Sequence, residues 1–348
     1  MRILHLNDHP PGDGHGGAEI FLQRLTEAQR RQGDDVEVVH GSSHAPIRDL
    51  WDPAAAKTVR ATIARFRPDV VHVHNVVREL SPSVLTTIRV PWVATFHDFR
   101  LLGCREHRLP DPRALATRLW TEPVTRRLLR RASATTGVSD TVTQVLEQQG
   151  FPLPSTLLVP VPAPTAALRP PGECQAVLFA GRLSEDKGAH VLEAAFERIA
   201  ARHPTARLVI AGDGPGRRDN PAYVGKLTSA ELSAVMAAAR VVVVPSLPTV
   251  RREGSSLTGV EGARHARPIV TSDDPALCEI AARVGGDVVP AGDVAALAAR
   301  LDHWLSDDEG ATEAGRRAAT DAAVHDPKVV AAACTALYAA VRPSHPSG

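Results

Sequence analysis

Pro152-Leu153-Pro154-Ser155-Thr156-Leu157-Leu158-Val159-Pro160-Val161-Pro162-Ala163-Pro164-Thr165-Ala166-Ala167-Leu168-Arg169-Pro170-Pro171 is the stretch on which the fold turns. Seven prolines fall within it, around one short apolar run at 156–159. Proline lacks the amide that helices and central strands require, so helix is excluded and any central strand is confined to that run. The stretch predicts the end of one domain followed by a stiff linker. It lies near the middle of 348 residues, a length that accommodates two domains, each able to bury a core.

Strand and helix patterns alternate on both sides of it. Before it, 2–6, 35–40, 70–74, 92–96 and 134–138 are short runs rich in Val, Ile, Leu or Thr. Ala18, Phe21, Leu22, Leu25 and Ala28 recur at helical spacing, and 54–66, 81–88, 114–131 and 141–149 are further helix candidates. After it, strands are expected at 176–180, 208–211, 222–224, 241–244, 269–271 and 287–289. Helices are expected at 190–201, 229–239, 260–265, 276–282, 294–305 and 325–341. Unbroken apolar strands alternating with helices argue for parallel sheets covered on both faces. The fold class is α/β: two Rossmann-like doubly wound domains facing across a cleft. The expected divisions are 1–160, a linker at 161–171, a second domain at 172–324, and a C-terminal helix and tail at 325–348. Ligands in such sheets sit beyond the carboxyl ends of the strands, so the loops there carry the search.

Composition narrows the function classes. Lys plus Arg is 40 against 39 Asp plus Glu, so there is no global basic field for nucleic acid. Aromatics at 4% are too few for a base-stacking platform. No apolar run reaches the roughly 18 residues of a spanning helix, and Met1-Arg2-Ile3-Leu4-His5-Leu6-Asn7 turns polar too early for a signal peptide. Cys104, Cys174, Cys278 and Cys334 make no CxxC and no framework, which fits a reducing, cytoplasmic location. Only Lys57, Lys187, Lys226 and Lys328 are lysine, so a lysine in a loop is a selective event here.

Five constellations carry the chemistry. Gly12-Asp13-Gly14-His15-Gly16-Gly17 runs into the first helix, either as a phosphate or sugar contact or as a turn that needs glycine. Phe179-Ala180-Gly181-Arg182-Leu183-Ser184-Glu185-Asp186-Lys187-Gly188 sets a guanidinium fork and an ammonium between strand and helix, which suits a pyrophosphate. The bland alternative has Asp186 capping the helix and both cations solvated. Ala211-Gly212-Asp213-Gly214-Pro215-Gly216 lacks the apolar helix that a nicotinamide fingerprint requires, so that site is rejected. Pro245-Ser246 and the run from Arg252-Glu253-Gly254-Ser255-Ser256-Leu257-Thr258 to Glu261 hold two glutamates around small residues. Thr258-x-x-Glu261 reads as a capping box, and Glu261 reads equally as an acceptor for a sugar diol. Last, His97-Asp98 stands where a strand emits its loop, as a structural imidazole or a functional one. His72 and His74 alternate along one strand and are expected to be structural.

Taken in order along most of the chain, these features resemble one large family. They are Gly16-Gly17-Ala18-Glu19, Val71-His72-Val73-His74-Asn75, Thr95-Phe96-His97-Asp98, Gly181-Arg182-Leu183 with Lys187-Gly188, and Glu253-Gly254 with Glu261. The family is that of the retaining, nucleotide-sugar-dependent glycosyltransferases of the GT-B fold, which includes sucrose synthase-like and phosphatidylinositol mannosyltransferase-like enzymes. The resemblance implies that Gly16 and Gly17 lie near the donor phosphate and acceptor, and that Arg182 and Lys187 bind the diphosphate. Glu261 would hold the ribose. Glu253, with Gly254, Ser255, Ser256 and Leu257, would address the donor, and His97 would lie close to the transferred sugar. The base would sit against the Gly212–Gly214 loop and the segment from Tyr223 to Leu227, which includes Lys226, and Gly181 is a further donor-binding candidate. No Asp-x-Asp metal motif is needed, because cations and a helix N-terminus take the leaving-group charge. Retention without a carboxylate nucleophile implies front-face attack.

Gly262 stands where the family commonly has alanine, and the loop before Glu253 is longer and carries Arg251-Arg252. The resemblance thus implies no cofactor and no metal, a nucleotide-sugar donor favouring UDP, and a hydroxyl acceptor on a natural product, glycan or lipid head group. Asp98 and Arg100 are the acceptor-side candidates. Arg113, Arg118, Arg126, Arg127, Arg130 and Arg131 are either a solvated basic face or a weak peripheral contact with an anionic membrane. An epimerase or phosphorylase on the same fold and a catalytically silent sugar-nucleotide binder are the alternatives. Oligomeric state stays open.

Overall fold

The computed structural model describes residues 1–342 apart from 13, 15, 42–50, 77–78, 103–121 and 249–251. The sequence features at Asp13, His15, Cys104, Arg113, Arg118 and Arg251 lie outside the described residues. The chain divides into two compact units, Met1–Pro160 with the segment from Pro327 onward, and Val161–Asp326.

The first unit carries β1 (Arg2–Asn7), β2 (Asp35–His40), β3 (Val70–Val73), β4 (Trp92–Phe96), β5 (Ala134–Gly137) and β6 (Pro154–Thr156). They pair in parallel in the order β2-β1-β3-β4-β5-β6, with the direction of winding reversing between β1 and β3. Its helices are α1 (Gly17–Arg31), α2 (Pro53–Phe66), α3 (Glu122–Leu129) and α4 (Asp140–Gln148). Asp52 caps α2 and Ser139 caps α4, each accepting from backbone amides of the first turn. Two expectations change. The strand in the proline stretch is 154–156 rather than within 156–159, and it tolerates Pro154 because β6 is an edge strand. The segment 81–88 forms only a 3₁₀ turn, Pro82–Thr86, opened by Ser81.

The second unit repeats the plan with β7 (Ala176–Ala180), β8 (Arg207–Ala211), β9 (Tyr223–Gly225), β10 (Ala239–Val244), β11 (Ile269–Ser272) and β12 (Asp287–Val289). The order is β12-β11-β10-β7-β8-β9, again parallel, and the winding reverses between β7 and β10. Around the sheet are α5 (Ala189–Ile199), α6 (Ser229–Ala237), α7 (Leu257–Arg264), α8 (Pro275–Val284), α9 (Val294–Ser306) and α10 (Asp308–Asp321). Helix α10 adds to the expected helices, with Asp307 both ending α9 and capping α10 with no intervening loop.

The proline-rich segment is stitched to this unit. Val161 N donates to His325 O, and Arg169 N to Ala237 O. Arg267 lies fully buried and donates to the carbonyls of Ala239, His265 and Arg169, while Arg240 reaches those of Pro171 and Trp304. Buried guanidinium groups tolerate this environment because their N–H groups meet carbonyl oxygens and, for Arg240, because the remaining nitrogen pairs with Asp308 at 2.7 Å.

The last helix, α11 (Pro327–Val341), belongs to the first unit and packs on α1. Tyr338 on α11 is fully buried, with its hydroxyl 2.6 Å from Nδ1 of His72 and 3.2 Å from Nε2 of Gln29. Burial lowers the pKa of His5, on neighbouring β1, from 6.5 to about 4. A depressed histidine contributes stability that is full above 6.5 and lost as pH falls through about 4. For His5 the loss should be of order 3 kcal/mol, measured by urea denaturation at stepped pH, and His5→Asn should flatten that slope.

Candidate active site

In the second unit the site forms where β7 and β10 diverge, the position at which doubly wound sheets open a crevice. Three loops meet there at van der Waals limits. Gly212 has φ +145°, and a Cβ on it would fall 1.8 Å from the carbonyl oxygen of Gly181. Gly214 has φ +146°, and its Cβ would fall 2.5 Å from the Leu183 oxygen. Gly188 has φ +68°, and its Cβ would fall 1.9 Å from the Pro245 oxygen. Backbone bonds close the same contacts: Gly181 N to Ala211 O, Leu183 N to Asp213 O, and Leu247 N to Asp186 O.

Lys187 Nζ sits 2.6 Å from Glu253 Oε1, which also accepts from Ser246 Oγ at 2.6 Å. The Glu253 amide donates to Asp274 Oδ2 at 3.1 Å, and Asp274 also caps α8. Burial raises the Asp274 pKa above the usual carboxylate value. Arg182 does not join Lys187. It turns to its own loop, with Nε 3.2 Å from Ser184 Oγ and a guanidinium nitrogen 3.5 Å from Asp186. Asp186 does not cap α5 as the bland alternative held: Gly188 is the N-cap, and no side chain caps the helix.

The capping box at Thr258 and Glu261 is also overturned. Helix α7 starts two residues earlier, where Ser256 accepts from Gly259 N, and Thr258 donates instead to the Ala180 carbonyl at 2.8 Å. Ser256 is therefore a cap, while Gly254, Ser255 and Leu257 line the entry to α7. Glu261 is half-buried a turn further on. Gly262 has a packing reason, since a Cβ would lie 2.8 Å from Ile269 Cδ1 and 2.9 Å from Val242 Cβ, so α7 rests close on the sheet. Lys226 is exposed and Leu227 half-buried, both just after β9.

In the first unit the corresponding place lies beyond β1 and β3. Asn7, at the end of β1, accepts from Asn75 N and donates to His9 O and to the buried Glu19. Gly16 and Gly17 lead into α1, which no side chain caps. At the end of β4, Nε2 of His97 lies 3.0 Å from Nδ1 of His74, and Phe21 meets the ring edge-on at 4.8 Å. His74, Thr95, His97, Asp98 and Arg100 line one pocket. Burial lowers the His97 pKa to about 4, so the ring is neutral near pH 7. Asp98 and Arg100 are joined to each other, through Arg100 N to Asp98 Oδ1 at 2.9 Å.

His74, expected to be structural, thus touches His97. Asn7, Ser246 and Asp274 had no assigned role. Asp274-Pro275 carried a helix-start signal, but the reach to Glu253 had none. In the basic region, Arg126 and Arg130 are bonded to Gln149, which accounts for two of the arginines without a membrane. No helix among the described residues is long and apolar enough to cross one.

Two doubly wound units, each with a site at the reversal of its sheet, define the class of double-Rossmann proteins. Residues 15–160 match the family described as Glycosyltransferase Family 4, and residues 174–307 match Glycosyl transferases group 1. The chain belongs to the glycosyltransferases of the GT-B fold. It is 26% identical to a phosphatidyl-myo-inositol mannosyltransferase of Mycolicibacterium smegmatis, over 94% of this chain and 91% of that protein. Glycogen synthase of Mycobacterium tuberculosis is 33% identical over 51% of this chain, a match spanning 46% of the synthase's own length. Among solved structures, sucrose-phosphate synthase of Thermosynechococcus elongatus shares the fold with a TM-score of 0.76 at 18% identity, covering 98% of each chain. HepE of Anabaena, solved in complex with UDP, gives a TM-score of 0.71 at 18% identity, covering 98% of this chain and all of that one.

Gly188→Ala and Gly212→Ala should each cost about 2–4 kcal/mol of stability and weaken nucleotide binding, since both combine a left-handed φ with a Cβ–oxygen clash. Denaturation curves and nucleotide titrations check both effects. Gly285→Ala, at φ +65° with open space around it, should cost clearly less.

Proposed function

We propose that the chain is a retaining glycosyltransferase that moves a sugar from a nucleotide diphosphate, UDP by preference, to a hydroxyl of a small molecule, glycan or lipid head group, without a metal cofactor. The observation that carries this is the Lys187–Glu253 pair, 2.6 Å apart at the reversal point of the second sheet. It sets a cation for a diphosphate beside a carboxylate for a sugar hydroxyl. The complexes of HepE with UDP and with UDP-glucose support a UDP donor.

Lys187, with Arg182 once its guanidinium leaves Ser184 and Asp186, meets the negative charge that grows on the departing diphosphate, and such charge stabilisation is usually the largest catalytic effect. They fill the place a metal ion would take. Ser246 and the amide contact from Asp274 hold Glu253 in position. Glu261, half-buried on α7, holds the ribose, since a carboxylate can accept two hydroxyl hydrogen bonds. His97, neutral and half-buried, addresses the transferred sugar. In front-face transfer the sugar–phosphate bond breaks, the acceptor oxygen bonds to the same face, and its proton passes to a departing phosphate oxygen.

UDP should raise the melting temperature above that reached with GDP, ADP or TDP in a thermal-shift panel. Arg182→Ala with Lys187→Ala should abolish transfer while circular dichroism stays native, and unchanged turnover would sink the diphosphate assignment. Donor conversion without acceptor, or phosphorolysis with inorganic phosphate, would point to an epimerase or phosphorylase instead.

A further inference from the structure

The interior of the first unit holds a string of polar side chains that the proposed chemistry does not use. His5, His72 and His74, which carry six ring nitrogens, are fully or almost fully buried, and one nitrogen from each ring lies within 4.8 Å of the other two, close enough to share a metal ion. All six of those nitrogens already have protein partners, however. His5 Nδ1 meets His74 Nε2 at 3.0 Å, and His5 Nε2 meets Gln29 Oε1 at 2.8 Å. His74 Nδ1 meets His97 Nε2 at 3.0 Å. His72 is held by Tyr338 at Nδ1 and by Thr95 at Nε2, each at 2.6 Å. Gln29 closes the arrangement by donating from Nε2 to the Tyr338 hydroxyl at 3.2 Å.

The string has a direction. A carboxamide oxygen only accepts, so with its oxygen at His5, Gln29 requires His5 to carry its proton on Nε2. Nδ1 of His5 is then bare, and His74 must donate to it from Nε2. Nδ1 of His74 is bare in turn, and His97 must donate from Nε2. One proton per ring satisfies every contact, and the rings are neutral because burial depresses their pKa values, to about 4 for His5 and His97. At the far end, Nδ1 of His97 has no partner among the described residues.

We propose that Gln29 and Tyr338 are positioning residues for sugar transfer, which through His5 and His74 hold His97 as the Nε2–H tautomer and leave its Nδ1 to accept a hydrogen bond from a hydroxyl of the transferred sugar. This rests on the reading that His97 addresses that sugar. Tyr338 orients the Gln29 amide, Gln29 sets the sense of the string, and His97 reads it out three side chains away.

Long-range proton–nitrogen NMR on the full chain with ¹⁵N-histidine reads each tautomer directly. In the wild type at neutral pH, His5, His74 and His97 should all be Nε2–H. Gln29→Leu removes the acceptor, so His5 should move its proton to Nδ1 and reverse the string, bringing His97 to Nδ1–H. Transfer should fall roughly tenfold in kcat with the donor KM within about twofold. Tyr338→Phe frees the amide to turn and should give mixed tautomers, which covers a Gln29→Leu chain that fails to fold. The proposal is overturned by Nδ1–H, imidazolium or a bound transition metal in the wild type, by an unchanged His97 tautomer in either folded variant, or by a reversed string with unchanged kcat. A wild type that transfers sugar from no donor yet shows the expected tautomers would refute the enzymatic reading and leave the string standing.

Discussion

Two stretches of backbone resting against carbonyl oxygens govern the second unit. Gly188 lies on the Pro245 oxygen and Gly212 on the Gly181 oxygen, with no room for a methyl group at either contact. Everything proposed for the nucleotide depends on this crowding. It brings the loops after β7, β8 and β10 to one place, so that Lys187 from the first can meet Glu253 from the third. Loosening it by one Cβ would separate the charges before it disturbed the core beneath, where Val177, Val241 and Val270 are fully buried.

The two units handle polarity in opposite ways. At the mouth of the second sheet the groups are ionic and partly exposed, with Lys187 and Glu253 able to trade one partner for another. Along the histidine string inside the first unit the polar groups are neutral and buried, and each is fixed by its neighbours. A surface pair of this sort adds little to stability. A buried hydrogen-bonded string specifies one arrangement, because an unpaired N–H in the interior is costly. The first pattern suits binding a charged ligand, the second holding a ring in one orientation.

Much of this was legible in the chain. The strands at 92–96 and 176–180 are found where their apolar runs stand, since a buried parallel strand leaves a continuous signature, and the edge strands at 35–40 and 287–289 are marked by their valines although they are only partly buried. Arg182, Lys187 and Glu253 could be singled out because loops after strands are where such folds bind. What failed was local pattern without context. Thr258 and Glu261 have capping-box spacing, yet Ser256 opens the helix and Thr258 serves the neighbouring strand. Helix α10 was hidden because its composition is acidic and alanine-rich, with only a narrow buried stripe. Tyr338 could not be tied to His72 at all, since the partners are 266 residues apart and no periodicity spans that distance.

That separation has a consequence for how the molecule is made. The first unit is discontinuous in the chain, with the whole second unit inserted between Pro160 and Pro327. Its sheet is complete when residue 156 has been synthesised, but His72 and Gln29 still lack the hydroxyl they share. A ribosome working at about 5–20 residues per second needs on the order of 10–35 s more to reach Tyr338. For that interval Gln29 and His72 are without the tyrosine hydroxyl, which α11 then supplies. A chain cut short anywhere in the second unit lacks Tyr338, so these bonds beneath the first sheet form only after the second unit has been made.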